Sequence, residues 1–158
     1  MIPLQRRLEY ATAYIELGLL AEASDELEAI EGEARLSAAV MAVRNDLYLA
    51  AKSWDLLIAV ARELTRQRPK IAAGWINWAF ALRELDRIAE AKAVLISAEP
   101  IHGKKSAILH YNLGCYECLL GDIDRARARI ALASRMDLKL KAEALDDPDL
   151  DAMWNAKA

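Results

Sequence analysis

The chain has 158 residues, 55% hydrophobic and 28% charged, with a net charge of −3. That balance excludes a disordered chain and a generally basic nucleic-acid binder, and no apolar run approaches the ~20 residues that span a bilayer. Cys115 and Cys118 are the only cysteines, which is no disulfide framework, so a reducing, cytoplasmic setting is expected.

The first residues, Met1-Ile2-Pro3-Leu4-Gln5-Arg6-Arg7, lack the continuous apolar stretch and small-residue cleavage site of an export signal. Amphipathic patterning predicts helices over about 4–17 and 20–32, separated at Gly18, a residue free to take a left-handed cap. A second pair is predicted over about 37–51 and 54–67, stopping at Pro69. A third covers 71–85 and 88–98, ending before Pro100. Glu99 to Lys105 then form the longest loop. A fourth pair follows over 105–120 and 123–135, turning at Gly121-Asp122. Leu138 to Leu145 continue as a helix. Asp147-Pro148-Asp149 then reads as an N-cap with proline in the first turn, and Leu150, Met153 and Trp154 share one apolar face. This last segment is expected to cover the exposed end of a stack as a structural cap.

The four pairs are copies of one pattern. Ala23, Leu57, Ala91 and Ala126 recur at steps of 34, 34 and 35 residues, as do Gly18, Lys52, Asp86 and Gly121, and Leu20, Trp54, Ile88 and Ile123. A helical repeat of this length builds a scaffold whose neighbouring units bury one another's apolar faces. Small Ala11, Ala79 and Gly114 are expected to face Ala23, Ala91 and Ala126 so that the paired backbones approach closely. Leu27, Leu95 and Ile130 would then lock one unit to the next. The second pair departs from this, with Asn45 opposite Leu57, and is expected to be splayed or shifted.

The stretch Gly74-Trp75-Ile76-Asn77-Trp78-Ala79-Phe80-Ala81-Leu82, followed by Ala89-Glu90-Ala91 and Ala98, resembles the tetratricopeptide repeat (TPR). So does Tyr111-Asn112-Leu113-Gly114-Cys115-Tyr116, followed by Gly121-Asp122 and Ala126. The resemblance covers nearly the whole chain, and the closing Ala144 to Leu150 is similar to endings of small bacterial proteins of this class. It implies an all-α, right-handed superhelical α-solenoid of four TPR-like hairpins plus a C-terminal capping helix. One TPR domain would span 1–158, with repeats about 4–37, 38–71, 72–106 and 107–140 and a cap about 138–155.

The resemblance also implies a non-catalytic protein–protein interaction scaffold that holds a peptide or protein segment in a concave groove lined by the first helix of every unit. Its positions are Leu8, Thr12 and Ile15, then Ala42, Asp46 and Leu49. Ile76, Phe80 and Arg83 follow in the third unit, and Tyr111, Cys115, Cys118 and Leu119 in the fourth. Asn77 and Asn112 stand where family members use amides to hold a bound peptide's backbone, since an amide both donates and accepts. Ile76, Tyr111 and Leu119 could instead be covered by the chain's own ends or by a twin subunit in a homo-oligomer. The family's carboxylate clamp, built from lysine, asparagine and arginine, is missing, because Leu8, Thr12, Ile76 and Phe80 occupy its positions.

No catalytic motif is present, and no cofactor, nucleic acid or membrane partner is expected. Cys115-x-x-Cys118, with His110 on the same helix, has too few ligands for a typical zinc site and lies mid-helix rather than at a redox-type helix start. A metal- or redox-responsive sensor using these cysteines is therefore an alternative, as is a secretion-type chaperone. The latter usually carries a dimerisation helix before its first repeat, whereas helical patterning here begins near Leu4. Arg125, Arg127 and Arg129 alternate around a helix and are expected on a solvated face, and Trp54, Trp75 and Trp78 in packing slots.

Overall fold

A computed structural model describes residues 1–156 of the chain. It is 80% helical, with ten α-helices and no strand among the described residues. Two compact units are present, Met1–Ala81 and the chain from Leu82 onward.

The first unit contains α1 (Leu4–Glu16), α2 (Leu20–Glu28), α3 (Ala38–Ala50), α4 (Trp54–Gln67) and most of α5 (Ala72–Glu84). α2 is shorter than its apolar pattern predicts. It stops at Glu28, and a 3-10 turn over Gly32–Leu36 follows, entered by Gly32 at φ 65°. Ser37 then caps α3 by accepting a hydrogen bond from the Val40 amide. Leu8, Ala11, Ala23, Leu27, Ile30, Val40 and Leu47 form the core of α1, α2 and α3. Leu57, Ala61 and Leu64 bury the inner stripe of α4.

Arg7 on α1 pairs with Glu26 on α2 at 2.8 Å, and Glu28 receives Arg35 and Arg44 at 2.8 and 3.3 Å. Asn45 and Leu57 are 1% and 0% exposed, as thoroughly buried as the alanines at equivalent places. The cost of the larger pair falls on Asn45, whose Oδ1 is buried without a hydrogen-bond partner.

The second unit begins at Leu82, inside α5, and continues with α6 (Ile88–His102), α7 (Ala107–Leu119), α8 (Ile123–Met136), α9 (Lys139–Asp146) and α10 (Asp151–Asn155). α6 does not end before Pro100; it runs through the proline to His102. The missing amide falls near the helix end. Ile96, whose carbonyl it would have met, is exposed, so water can satisfy that group. Ser106 and Asp122 cap α7 and α8 through the amides of Leu109 and Arg125.

α7 and α8 meet through a bare glycine. A Cβ on Gly114 would lie 2.7 Å from Ile130 Cδ1 and 3.2 Å from Arg129 Cβ. Any side chain here would force Ile130 to shift, so glycine suits this close approach. An ionic network then ties three helices together. Arg129 on α8 donates to both carboxylate oxygens of Glu99 on α6, at 2.5 and 3.0 Å. Its guanidinium also lies 2.9 Å from His110 Nδ1 on α7. His110 Nε2 is 2.7 Å from the Gly103 carbonyl, so the ring donates there and accepts from Arg129.

α9 packs along α8 with Leu140 and Ala144 buried. Asp147 accepts the Asp149 amide ahead of a 3-10 turn over Pro148–Leu150, the predicted N-cap and first-turn proline. Leu150 and Met153 are buried at 0% and 2%, whereas Trp154 remains 48% exposed and donates from Nε1 to the Ala144 carbonyl.

Candidate functional site

Most of the predicted binding positions in the first unit are accessible, Leu8 excepted, whereas Tyr111, Cys115 and Cys118 in the second are covered. On α1, Thr12 is exposed and Ile15 is half-buried against the core. Leu8 belongs to that core at 7% exposure, packed with Ala11 and Leu27 rather than on an open surface. On α3, Asp46 is exposed, accepting from Asn45 Nδ2 at 3.4 Å, while Ala42 and Leu49 are half-buried.

On α5, Ile76, Asn77 and Phe80 are all half-buried. Ile76 and Phe80 are four residues apart and share one helix face. The Phe80 ring is fixed by an edge-on contact with Trp54, centroids 5.8 Å apart and planes at 76°. The Asn77 amide is not hydrogen-bonded to any described residue. Trp75 and Trp78 stack at 6.1 Å, Arg62 lies over Trp78, and Trp75 Nε1 donates to the Pro69 carbonyl.

In the second unit the corresponding face of α7 is buried under the chain's own C-terminal segment. Tyr111, Cys115 and Cys118 are 6%, 4% and 3% exposed. The Tyr111 hydroxyl donates to Asp147 Oδ2 at 2.7 Å, and the Cys115 thiol points at the same oxygen from 3.7 Å. Cys118 lies against the backbone of Ala152 and Met153. Arg83, at the end of α5, donates from Nε to Asp149 Oδ2 at 2.9 Å and from Nη2 to Asp149 Oδ1, a bidentate pair. Asn112 stays half-buried, its amide not bonded to any described residue, and Leu119 is 43% exposed. Tyr111 and Cys115 are thus contacts of an internal segment rather than an open surface.

The electrostatics follow from that cover. Burial first, then the charges of Asp147 and Asp149, push the Cys115 thiol well above its ordinary range. Burial and the Asp147 hydrogen bond do the same to the Tyr111 hydroxyl. Both groups are therefore protonated near neutrality, and a thiolate, the form that binds metals and attacks disulfides, is disfavoured. Cys115, Asp147 and Asp149 bring possible ligand atoms within 4.8 Å of one another. The two carboxylates are, however, already taken up by Tyr111 and by the Arg83 fork.

Sequence reasoning did not identify Asp147 and Asp149 as partners of α7 and of Arg83. The available signal was charge: four aspartates within Asp146–Asp151 and one arginine on a mainly apolar inner row. Nor did it find the Arg129–Glu99–His110 network, whose members lie on three separate helices.

Consecutive antiparallel helix pairs recurring every 34 or 35 residues, each closed by a left-handed turn, define a class: the chain has the tetratricopeptide-repeat fold. Among solved structures it is similar to MamA (MSR-1), with a TM-score of 0.75 and 18% identity over 87% of this chain and 79% of that one. It is also similar to TTC0263, a thermophilic TPR protein in Thermus thermophilus. The TM-score is 0.70 and the identity 17%, over 94% of this chain and 80% of that one. YrrB, described as a TPR protein with an unusual peptide-binding site, aligns with a TM-score of 0.68 and 12% identity. That alignment covers 94% of this chain and 81% of YrrB. No protein-family model and no curated protein matches the sequence. No helix among the described residues is long and apolar enough to cross a membrane.

Proposed function

We propose that this chain is a non-catalytic protein–protein interaction module, its four repeats acting as one domain over 1–158. A partner's peptide or protein segment would be held on the first-helix face of the first unit. The observation that carries this reading is the α5 row. Ile76 and Phe80 remain partly open beside Asn77, whose amide is unused by the described residues. Half-buried apolar side chains next to a free amide suit a segment that needs both an apolar anchor and a backbone hydrogen bond. Leu49 on α3 would add apolar contact, and Thr12 and Asp46 polar contact. The TPR fold and the described peptide-binding site of YrrB favour a polypeptide partner over a small molecule.

Aromatic anchors at the centre of an interface carry a disproportionate share of its binding energy. Phe80→Glu is expected to reduce partner capture by about thirtyfold or more, an interfacial loss of about 2 kcal/mol, while helical circular dichroism is retained. Capture equal to wild type by a well-folded Phe80→Glu protein would place the binding surface elsewhere.

A further inference from the structure

The end of α8 is already covered by α9, which buries Leu140 and Ala144. The residues after α9 touch α8 too, where Arg127 donates to the Met153 and Ala156 carbonyls, but they also return across α7. Their contacts are those of a docked ligand. Asp149 takes a two-pronged guanidinium contact from Arg83, and Asp147 takes the Tyr111 hydroxyl and the Cys115 thiol. Leu150 and Met153 are the apolar anchors, at 0% and 2% exposure. Pro148, which separates the two aspartates, and Asp151 and Ala152, which separate the two anchors, face solvent. Buried and exposed residues thus alternate as in a bound peptide, and the segment's acidity complements the one arginine on this face. The segment is tethered by a short connection, since α9 ends at Asp146.

We infer that the α7 face bounded by Arg83, Tyr111 and Cys115 is a recognition site for an acidic peptide, occupied in cis by residues 147–153. The peptide carries two aspartates two residues apart, a leucine directly after the second, and an apolar residue three positions further on. A partner segment of that pattern binds by exchange with the internal one. The inference rests on the reading of the fold as a polypeptide-binding module, but it concerns a different surface from the Phe80 row.

A tethered segment competes at an effective concentration of roughly millimolar, so the wild-type chain holds its site closed against micromolar peptide. Weakening the internal copy opens it. The test uses the full chain and a fluorescent synthetic peptide of residues 146–156. An Asp147→Asn/Asp149→Asn protein is expected to bind this peptide about tenfold or more tighter than wild type does. It should also react faster with a thiol reagent at Cys115 and Cys118. Adding Arg83→Glu to that protein should remove the peptide binding, and a peptide carrying the same two asparagines should not bind.

A folded double variant that binds no peptide, or whose thiols stay as protected as in wild type, overturns the proposal. So does loss of helical structure in that variant, which would make the segment part of the core instead of a ligand. Failure here leaves the Phe80→Glu result untouched, because Phe80 makes no part of this site. Failure of the Phe80 test likewise leaves peptide exchange on α7 standing.

Discussion

Four residues of this chain sit at the same left-handed turn. Gly18, Lys52, Asp86 and Gly121 have φ of 75°, 53°, 59° and 86°. Each is followed by an amide that closes the helix with a six-to-one hydrogen bond: Leu19 to Tyr14, Ser53 to Tyr48, Arg87 to Leu82 and Asp122 to Glu117. This is the Schellman end, and glycine fits it because it has no Cβ to strain. The left-handed conformation costs a side-chain-bearing residue about 1–2 kcal/mol, part of which glycine returns through its freer unfolded chain. Lys52→Gly and Asp86→Gly are therefore expected to raise stability by about 0.5–1 kcal/mol each, read as higher urea midpoints at unchanged m-value. Residue type alone marks Gly18 and Gly121 as turns. Lys52 and Asp86 are legible only through the repeat register that aligns them with those glycines.

At the scale of elements, the α7–α8 pair is set by what Gly114 lacks. A methyl there would press on Ile130, itself 5% exposed and held in the core. Alanine is the better helix former by about 1 kcal/mol, but overpacking a filled interface costs about 1–3 kcal/mol. Gly114→Ala is expected to lower the thermal midpoint, and a companion Ile130→Val substitution, by shortening the opposing side chain, should restore part of the loss.

The same helices are joined electrostatically. Hydrogen bonding from Arg129 holds the Glu99 carboxyl below its ordinary value of 4.5, against an opposing effect of burial. A depressed carboxylate contributes stability that is present above the unfolded value and lost as pH falls through the folded one. Glu99→Gln should thus be less stable than wild type at pH 7, with the difference shrinking below pH 4.5. Urea melts at both ends of that range check it, and a gap that stays constant would deny Glu99 this role. None of this network was legible in the sequence. Charged residues on α6, α7 and α8 have no periodic relation, and only packing brings Glu99, His110 and Arg129 together.

For the molecule as a whole, the sequence by itself determined the period, the helix pairs and their turns. Those features rest on interactions between near neighbours: i to i+4 hydrogen bonds, caps, and small residues recurring with the repeat. Such forces act wherever the pattern is written, so the pattern could be read. Tertiary structure alone decided which predicted binding positions are open. Ile76 and Phe80 on α5 retain exposed surface, whereas Tyr111 and Cys115 on α7 do not, although the repeat treats the two rows alike. The difference comes from Asp147 and Asp149, which reach Tyr111 and Arg83 across 36 and 66 residues of chain. Contacts at that separation depend on where the folded backbone returns the segment, and no local periodicity records that.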